Sequence, residues 1–229
     1  MSRLIPLDTV RDLDSQVESR TDSRSEATKQ ALLDAALKLF GDKGYENTSV
    51  RDLAAEAEVN VAAVNYHFGG KEGLRYAAID HLACNFKSEG PGEILSHLSP
   101  EKVALMSADE ARATLREVMR ASFIRATKGE SADIKTRYIQ RELVQGGKPT
   151  DLFFEKVFSI QFALIRSLVS RITGDDPDSE MARIRAVNII AQNVFLNLAR
   201  PLVLKALEWD GYSEDKSHAV ADAFWLYHE

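Results

Sequence analysis

The chain has 229 residues, of which 45% are hydrophobic and 28% are charged, and its formal net charge is −6. No apolar run approaches the roughly 18 residues that a membrane helix needs, and the N-terminus lacks the apolar core of a secretory signal. Its single cysteine, Cys84, excludes an intramolecular disulfide and a cysteine metal cluster. We therefore expect a cytoplasmic globular protein without a membrane partner.

Basic residues are not concentrated in one part of the chain. Residues 24–75 hold 7 basic and 8 acidic groups, and residues 76–229 hold 19 and 22. A nucleic-acid-binding surface within residues 24–75 therefore requires its cations to cluster on one face while the acids lie on others.

The first regular pattern is a single amphipathic helix. Residues 1–23 are polar and alternate in charge sign, so we expect them to form a flexible arm. From Ser25 to Phe40, apolar residues recur at spacings of three and four, which predicts a helix that ends at Gly41 or Gly44.

Two short helices follow, separated by a tight turn. Ser49 can cap a helix that begins near Val50, and Asn60 can cap a second one with the sequence VAAVNYHF. The turn between them lies at Glu58 and Val59. This arrangement predicts a helix-turn-helix whose second helix fits the major groove of DNA.

The rest of the chain carries only helical patterns. Two glycines and two prolines within residues 88–100 indicate a boundary or a flexible joint. Helices are predicted over about 71–87, 101–127 with a restart near 109, 133–144, 150–172, 178–207 and 213–227. We therefore predict an all-α fold, with a helix-turn-helix DNA-binding domain at 24–75 and a larger ligand-binding and dimerisation domain at 76–229.

The segment ALLDAALKLFGDKGYENTSVRDLAAEAEVNVAAVNYHFGGKEGL lies between about Ala27 and Leu82. It resembles the DNA-binding domain of the TetR (tetracycline-repressor) family. Downstream, RYIQRELVQGGKPTDLFF and NVFLNLARPLVLK resemble the branch with a CerR-like C-terminal domain. The resemblance implies a homodimeric transcription regulator, and most members of the family are repressors. It also implies that the C-terminal helices bind a small molecule, which changes the spacing of the two DNA-reading heads.

Two residues depart from the pattern that the resemblance implies. Glu58 stands where the turn often has glycine, and a side chain on a left-handed residue costs roughly 1–2 kcal/mol. Asn65 stands where an aromatic ring is common. Its amide can donate to a phosphate or contact an adenine edge, and its role stays open.

The candidate DNA contacts cluster in and around the two short helices. Arg51 can reach a guanine edge, and the small residues that open the second helix allow it to approach the bases closely. Hydroxyl, imidazole and ammonium groups just beyond can donate to phosphates. Capping, core packing or plain solvation are the alternatives for each. The full set is Thr48, Ser49, Arg51, Val61, Ala62, Ala63, Asn65, Tyr66, His67 and Lys71.

Candidate effector contacts are predicted among the helices of the larger domain, with core packing as the alternative for every member. They are Met119, Phe123, Tyr138, Phe154, Phe158, Phe162 and Asn193. The adjacent Arg141 and Glu142 are expected to form a structural ion pair or to line the mouth of this pocket.

The helices near 151–172 and 179–207 are apolar over more than one face. Such helices need packing partners on more than one side. A second subunit can supply one of these partners, so we predict a homodimer through these helices. A deeper monomer core is the alternative.

No catalytic or metal-binding motif is present in the sequence. The histidines are scattered and there is neither a phosphate-binding loop nor a nucleophile elbow. We therefore expect no enzymatic activity, no cofactor and no metal site, and a double-stranded operator and a small-molecule effector as partners. The rival hypotheses are a helical protein-binding adaptor and a helical enzyme that uses Glu142 with His97 or Tyr138.

Overall fold

A computed structural model describes residues 7–88 and 91–223, and the predicted all-α fold is confirmed over these ranges. A π-helical segment, Phe154–Phe158, joins two of the helices. The α-helices are α1 (Leu7–Lys43), α2 (Val50–Glu56), α3 (Ala62–Phe68), α4 (Lys71–Ser88), α5 (Pro91–Ser96), α6 (Pro100–Ala104), α7 (Ala108–Thr127), α8 (Gly129–Gln145), α9 (Lys148–Phe153), α10 (Ser159–Thr173), α11 (Glu180–Leu198), α12 (Arg200–Ala206) and α13 (Glu214–Ala223).

Helix α1 begins much earlier than the sequence patterns predicted. The expectation of a flexible arm over residues 1–23 is wrong from Leu7 onwards, because the helix is continuous from there to Lys43. Residues 1–6 lie outside the described residues. The overlooked signal is the absence of glycine and proline between Leu7 and Phe40, since either residue would break a helix of this length.

The boundaries of the later helices follow local capping and proline chemistry. The predicted restart near 109 is a capping box, in which Ser107 and Glu110 exchange hydrogen bonds at the start of α7. The predicted helix over 178–207 breaks before Pro201 into α11 and α12, which bend by 83°. Within the described ranges, no single helix is long and apolar enough to cross a membrane. This bent pair, taken together, has the length and composition of a membrane span.

The helices of the predicted DNA-binding domain share a hydrophobic core with the larger domain. Buried residues of α1 to α4, such as Phe40, Leu53, Val64 and Leu74, pack in one cluster with Tyr138 of α8. A second cluster lies farther along the molecule, between α7, α10 and α11. Helix α8 therefore holds the N-terminal helices directly onto the rest of the chain.

Helix α8 also caps the end of α1. The Arg141 guanidinium donates to the carbonyl oxygens of Gly41, at 2.6 Å, and Asp42, at 2.8 Å. These are carbonyls of the last helical turn, which lack a partner within α1. A Cβ on Gly41 would lie 3.1 Å from the backbone nitrogen of Tyr138, so glycine allows the two helices to approach this closely.

The expected ion pair between Arg141 and Glu142 is wrong, because Glu142 binds Arg75 of α4. Arg75 donates to both carboxylate oxygens of Glu142 at 2.6–3.0 Å. Their side chains are only 12% and 5% exposed. Burial alone would lower the pKa of Arg75, but hydrogen bonds and charge from Glu142 raise it overall. The pair is therefore a charged link between α4 and α8.

The hydroxyl of Tyr138 completes this link by donating to the backbone carbonyl of Arg75 at 3.1 Å. Burial raises the pKa of Tyr138, and the nearby carboxylate of Glu142 raises it further. The hydroxyl therefore stays protonated and able to donate.

The turn between α2 and α3 is strained at Glu58. Its φ is +54°, in the left-handed region. The N–H of Glu58 donates to Ala55 O and the N–H of Val59 donates to Ala54 O, at 3.2 and 2.9 Å. These two bonds define a Schellman motif, which places glycine at the position that Glu58 occupies.

We predict that Glu58→Gly stabilises the protein. Glycine removes the left-handed strain but increases the entropy of the unfolded chain, so the net gain is roughly 0.5–1 kcal/mol in the free energy of unfolding. Urea denaturation followed by circular dichroism measures it. Glu58→Gln, which removes the charge and keeps the strain, should leave stability nearly unchanged. Equal gains from both variants would show that charge, not backbone strain, is the cost at this turn.

We also predict that Glu142→Leu costs about 3–5 kcal/mol of stability, because it leaves the charge of Arg75 buried without its partner. The double variant Arg75→Met/Glu142→Leu should recover much of this loss in the same urea assay. The control is Arg112→Met, which removes an exposed pair with Asp109 and should cost less than about 1 kcal/mol. A double variant no more stable than Glu142→Leu would contradict this account.

Candidate nucleic-acid interface and ligand cavity

The N-terminus of α2 is fixed by a reciprocal cap. The Ser49 hydroxyl accepts from the Asp52 N–H at 3.1 Å, and the Asp52 carboxylate accepts from the Ser49 N–H at 2.8 Å. Hydrogen bonds from the Ser49 hydroxyl and N–H lower the pKa of Asp52. Ser49 stays exposed, but its hydroxyl also donates to Asp52. Its side chain is therefore engaged in capping.

Thr48 does not reach the surface as predicted. Its side chain is buried, and its hydroxyl donates to the carbonyl oxygens of Gly44, at 2.9 Å, and Leu39, at 3.3 Å. The predicted phosphate contact by this side chain is therefore wrong. The hydroxyl instead ties the linker to the end of α1.

Helix α3 and the preceding Val61 present a face of mixed polarity to solvent. The Asn60 side chain accepts from the Ala62 N–H at 2.8 Å, as predicted for a cap. Val64 is fully buried and anchors the helix. Ala63, predicted to lie at the exposed start, is instead half-buried against the first core. Four of the predicted contacts point outwards together: Val61, Ala62, Asn65 and Tyr66.

Potential phosphate donors lie at the end of α3 and the start of α4. The Tyr66 side chain is 83% exposed, and the rings of Tyr66 and His67 meet edge-on with centroids 4.8 Å apart. The Lys71 ammonium lies 4.0 Å from the centre of the Tyr45 ring, which also contacts Arg75. Sequence patterns did not single out Tyr45, which positions Lys71 through a cation–π contact.

The turn that joins α3 to α4 is too tight for a side chain at Gly73. A Cβ there would lie 1.8 Å from the carbonyl oxygen of Phe68. Gly73 therefore lets the first turn of α4 pack against the last turn of α3, which keeps Lys71 beside the α3 face.

At least three of the eight acids of residues 24–75 are engaged in local contacts. Glu56 pairs with Lys38 at 2.5 Å, Asp42 pairs with Arg137 of α8 at 2.7 Å, and Asp52 caps α2. Arg51 is exposed and forms no ion pair with the described residues. Local pairing thus offers a way for a region of balanced charge to present cations on one surface.

The larger domain contains a cavity of about 1010 Å³. Its walls come from α4, α7, α8, α9, the π-helical segment, α10 and α11, and four of the predicted effector contacts line it: Met119, Phe154, Phe158 and Asn193. The volume is at the upper end of the range for small-molecule sites.

Three predicted effector contacts do not line this cavity. Phe123 is fully buried and packs edge-on against Tyr212, with ring centroids 5.3 Å apart. Tyr138 belongs to the first core, and Phe162 packs against the second. For these three side chains, core packing was the correct alternative.

For α8, the sequence analysis named Tyr138, Arg141 and Glu142 and missed the residues of this helix that line the cavity. Ala132, Lys135, Ile139 and Leu143 line it at helical spacing. The mixture of lysine with apolar residues on one helical face was the available signal. Elsewhere, the described residues include no group of three or more metal-binding side chains.

Comparison with known proteins matches both parts of the chain. Residues 32–78 match the model of bacterial regulatory proteins of the tetR family, and residues 111–225 match the C-terminal domain of the HTH-type transcriptional dual regulator CecR. The branch named CerR-like above is thereby identified as CecR-like. CecR of Shigella flexneri is 26% identical over 200 residues, which cover 86% of this chain and 87% of CecR.

Other similar proteins share the N-terminal part or the fold. The probable HTH-type transcriptional regulator YttP of Bacillus subtilis is 43% identical over 60 residues, 26% of this chain and 27% of YttP.

Two solved structures share the fold over 87% of this chain. AibR in complex with isovaleryl coenzyme A and operator DNA has a TM-score of 0.64 at 18% identity, with 97% of AibR covered. The SmeT–triclosan complex has a TM-score of 0.59 at 20% identity, with 90% of SmeT covered. The chain therefore belongs to the TetR family of helix-turn-helix transcriptional regulators and carries a CecR-like C-terminal domain.

Proposed function

We propose that the protein is a homodimeric repressor that binds operator DNA through α3 and is released by a small molecule bound in the cavity. The exposed face of α3 is the observation that carries this proposal. This face consists of Val61, Ala62, Asn65 and Tyr66, which are exposed and do not belong to the buried core of the described residues. Val64, in the same helix, is fully buried and anchors it. As a DNA-binding regulator, the protein acts in the cytoplasm.

The chemistry of the α3 face suits a duplex. Val61 and Ala62 present small apolar groups to the bases, and Asn65 can bind an adenine edge. Tyr66, His67 and Lys71 donate to phosphates on either side. Arg51, from α2, reads a guanine or binds the backbone.

Release follows from the position of the cavity. Leu82 and Phe86, near the end of α4, line its wall, and Lys71, at the start of α4, adjoins α3. A ligand that fits the cavity better when α4 has pivoted shifts the population towards that state, and only this difference in affinity moves the equilibrium. The pivot changes the separation of the two α3 helices in a dimer.

The dimer forms through the outer face of α11 together with α10. This face exposes large apolar side chains that this chain leaves uncovered: Ile160 on α10, and Met181, Ile184, Val187 and Phe195 on α11. A stripe of this kind is typical of helices that pack against a second copy. A twofold axis places two α3 helices one DNA turn, or a multiple of it, apart.

The rival enzyme hypothesis loses Glu142 and Tyr138, two of the three residues on which it was based. Glu142 is bound by Arg75, and the Tyr138 hydroxyl donates to the Arg75 carbonyl. Burial raises the pKa of Tyr138, which makes this hydroxyl a poor general base near neutral pH. These groups stabilise the contact between α4 and α8. The adaptor hypothesis is addressed by the DNA-binding test below.

Lys71→Ala is expected to weaken binding to all duplexes alike. With two copies of Lys71 in a dimer, the slope of log affinity against log salt should become shallower by roughly 2, because two phosphate contacts are lost. Fluorescence anisotropy on a footprinted duplex from the DNA flanking its own gene measures this slope. Arg51→Ala should instead relax the preference at one base position.

Lys148→Ala is the matched control, because the Lys148 ammonium lies 4.5 Å from the centre of the Tyr76 ring, in the same kind of contact as Lys71 with Tyr45. It should leave the slope unchanged. If wild-type protein shows no salt-dependent binding to any duplex, the adaptor hypothesis is favoured over this proposal.

The double variant Ile184→Glu/Val187→Glu is expected to be monomeric at micromolar concentration, because it places charges in the buried core of the proposed interface. Sedimentation velocity measures the state, and operator affinity should fall with it. Leu105→Glu is the control, since Leu105 is 88% exposed in the α6–α7 connection and belongs to neither helix of the proposed interface. A wild-type monomer, or a double variant that stays dimeric, would refute the proposed interface.

A further inference from the structure

The cavity wall has a one-sided charge distribution. Arg125, Lys128 and Lys135 line it, whereas no aspartate or glutamate does so among the described residues. In the whole chain, acidic residues outnumber basic ones by 35 to 29. The charge of the cavity wall is therefore positive although the net charge of the protein is negative. The local electrostatic potential in the cavity favours anions.

Two carboxylates of α8 are engaged elsewhere and do not neutralise Lys128 or Lys135. Asp133 pairs with Arg200 of α12, and Glu142 pairs with Arg75. Lys128 and Lys135 form no ion pair with the described residues. Their ammonium groups are thus available to an occupant of the cavity.

Three uncharged donors of the wall are committed to the protein, whereas Ser122, Thr136 and Gln161 line it as further polar groups. The Thr150 hydroxyl donates to the Glu142 carbonyl, the Asn193 amide donates to the Met119 carbonyl, and the Asn197 amide donates to Asn193. Lys128, Lys135 and Arg125 add charged donors to these uncharged groups. Since ammonium and guanidinium groups only donate, they select acceptors, and anionic acceptors most strongly.

Charge and apolar surface are separated along α8. Lys135, Ile139 and Leu143 line the cavity at intervals of four residues, so they share one face of the helix. Lys135 and Leu143 are about 12 Å apart along its axis at 1.5 Å per residue. Arg125 and Lys128 lie at the end of α7, which runs directly into the start of α8.

The opposite part of the cavity is apolar and aromatic. The stacked rings of Phe154 and Phe158, with centroids 5.7 Å apart, line it from the π-helical segment, which follows α9 after the C-terminal end of α8. Near the cationic end, Arg125 lies 5.4 Å from the centre of the Phe86 ring, which also lines the wall. The cavity thus combines a cationic end with a long apolar body.

We propose that the effector is an amphipathic anion, with an elongated apolar body and one terminal anionic group such as a carboxylate or a phosphate. Lys128, Lys135 and Arg125 bind the anionic group. Phe154, Phe158 and the apolar face of α8 hold the body. This inference rests on the proposed role of the cavity as the effector site and specifies its ligand class.

Three probes with the same 12-carbon chain test the inference: dodecanoate, 1-dodecanol and dodecyltrimethylammonium, each below its micelle concentration. Isothermal titration calorimetry on the full-length protein without DNA should give dodecanoate the highest affinity, about tenfold or more above dodecanol. The cationic probe should bind most weakly. Equal affinities for the three probes would overturn the inference.

Variants then locate the headgroup. Lys128→Gln/Lys135→Gln should weaken dodecanoate about tenfold while dodecanol changes less than about twofold. Phe158→Ala should weaken both probes. The control Lys148→Gln/Lys205→Gln removes the same charge outside the cavity wall and should change neither. Unaltered dodecanoate affinity in the first variant would refute the assignment.

The outcome is separable from that of the proposed function. Because calorimetry uses no DNA, loss of headgroup discrimination counts against the inference even if the protein binds its operator. Conversely, dodecanoate that binds as expected but leaves operator affinity unchanged would count against the release mechanism while the ligand class stands.

Discussion

The buried pair of Arg75 and Glu142 is the contact on which the architecture depends. The start of helix α4, up to Arg75, belongs by sequence to the DNA-reading head, and α8 belongs to the larger domain. The pair, together with the Tyr138 hydroxyl on the Arg75 carbonyl, joins them where water is largely excluded. A buried ion pair adds little net stability over an apolar contact but strongly penalises arrangements that separate its members. It therefore fixes one orientation of the head on its support.

That constraint gives α4 two roles in one rigid element. Its first turn lies beside α3 through the close contact at Gly73, its second turn carries Arg75, and its later turns form part of the cavity wall. A helix resists bending within a few turns, so a displacement of Phe86 and a displacement of Lys71 are mechanically related. In the proposed release mechanism, the polar contacts at α8 act as the pivot between them.

Local patterns in the sequence predicted most of the fold and part of the site. Helical spacing and caps at Ser49, Asn60 and Ser107 identified the elements, because capping depends only on residues three or fewer positions apart. Pairing across long separations was not accessible: Arg75 and Glu142 are distant in sequence, and a neighbouring Arg141 offered a more obvious partner. For the same reason, the cavity residues from α8 and Phe86 were missed, while Phe123, Tyr138 and Phe162 could not be distinguished from core.

The corner between α11 and α12 shows how a long apolar stretch is accommodated. At the bend, the N–H of Leu202 turns to the carbonyl of Ala199, and the Leu198 carbonyl accepts from Gln140 of α8 at 2.9 Å. Arg200, the first residue of α12, forms an ion pair with Asp133, which also belongs to α8. An apolar stretch that would otherwise form one continuous helix is thus bent, and a polar contact on each side of the bend fixes it to α8. Pro201 and these two polar contacts divide the apolar stretch between two helices that point in different directions. A single straight helix would extend the same stretch along one axis.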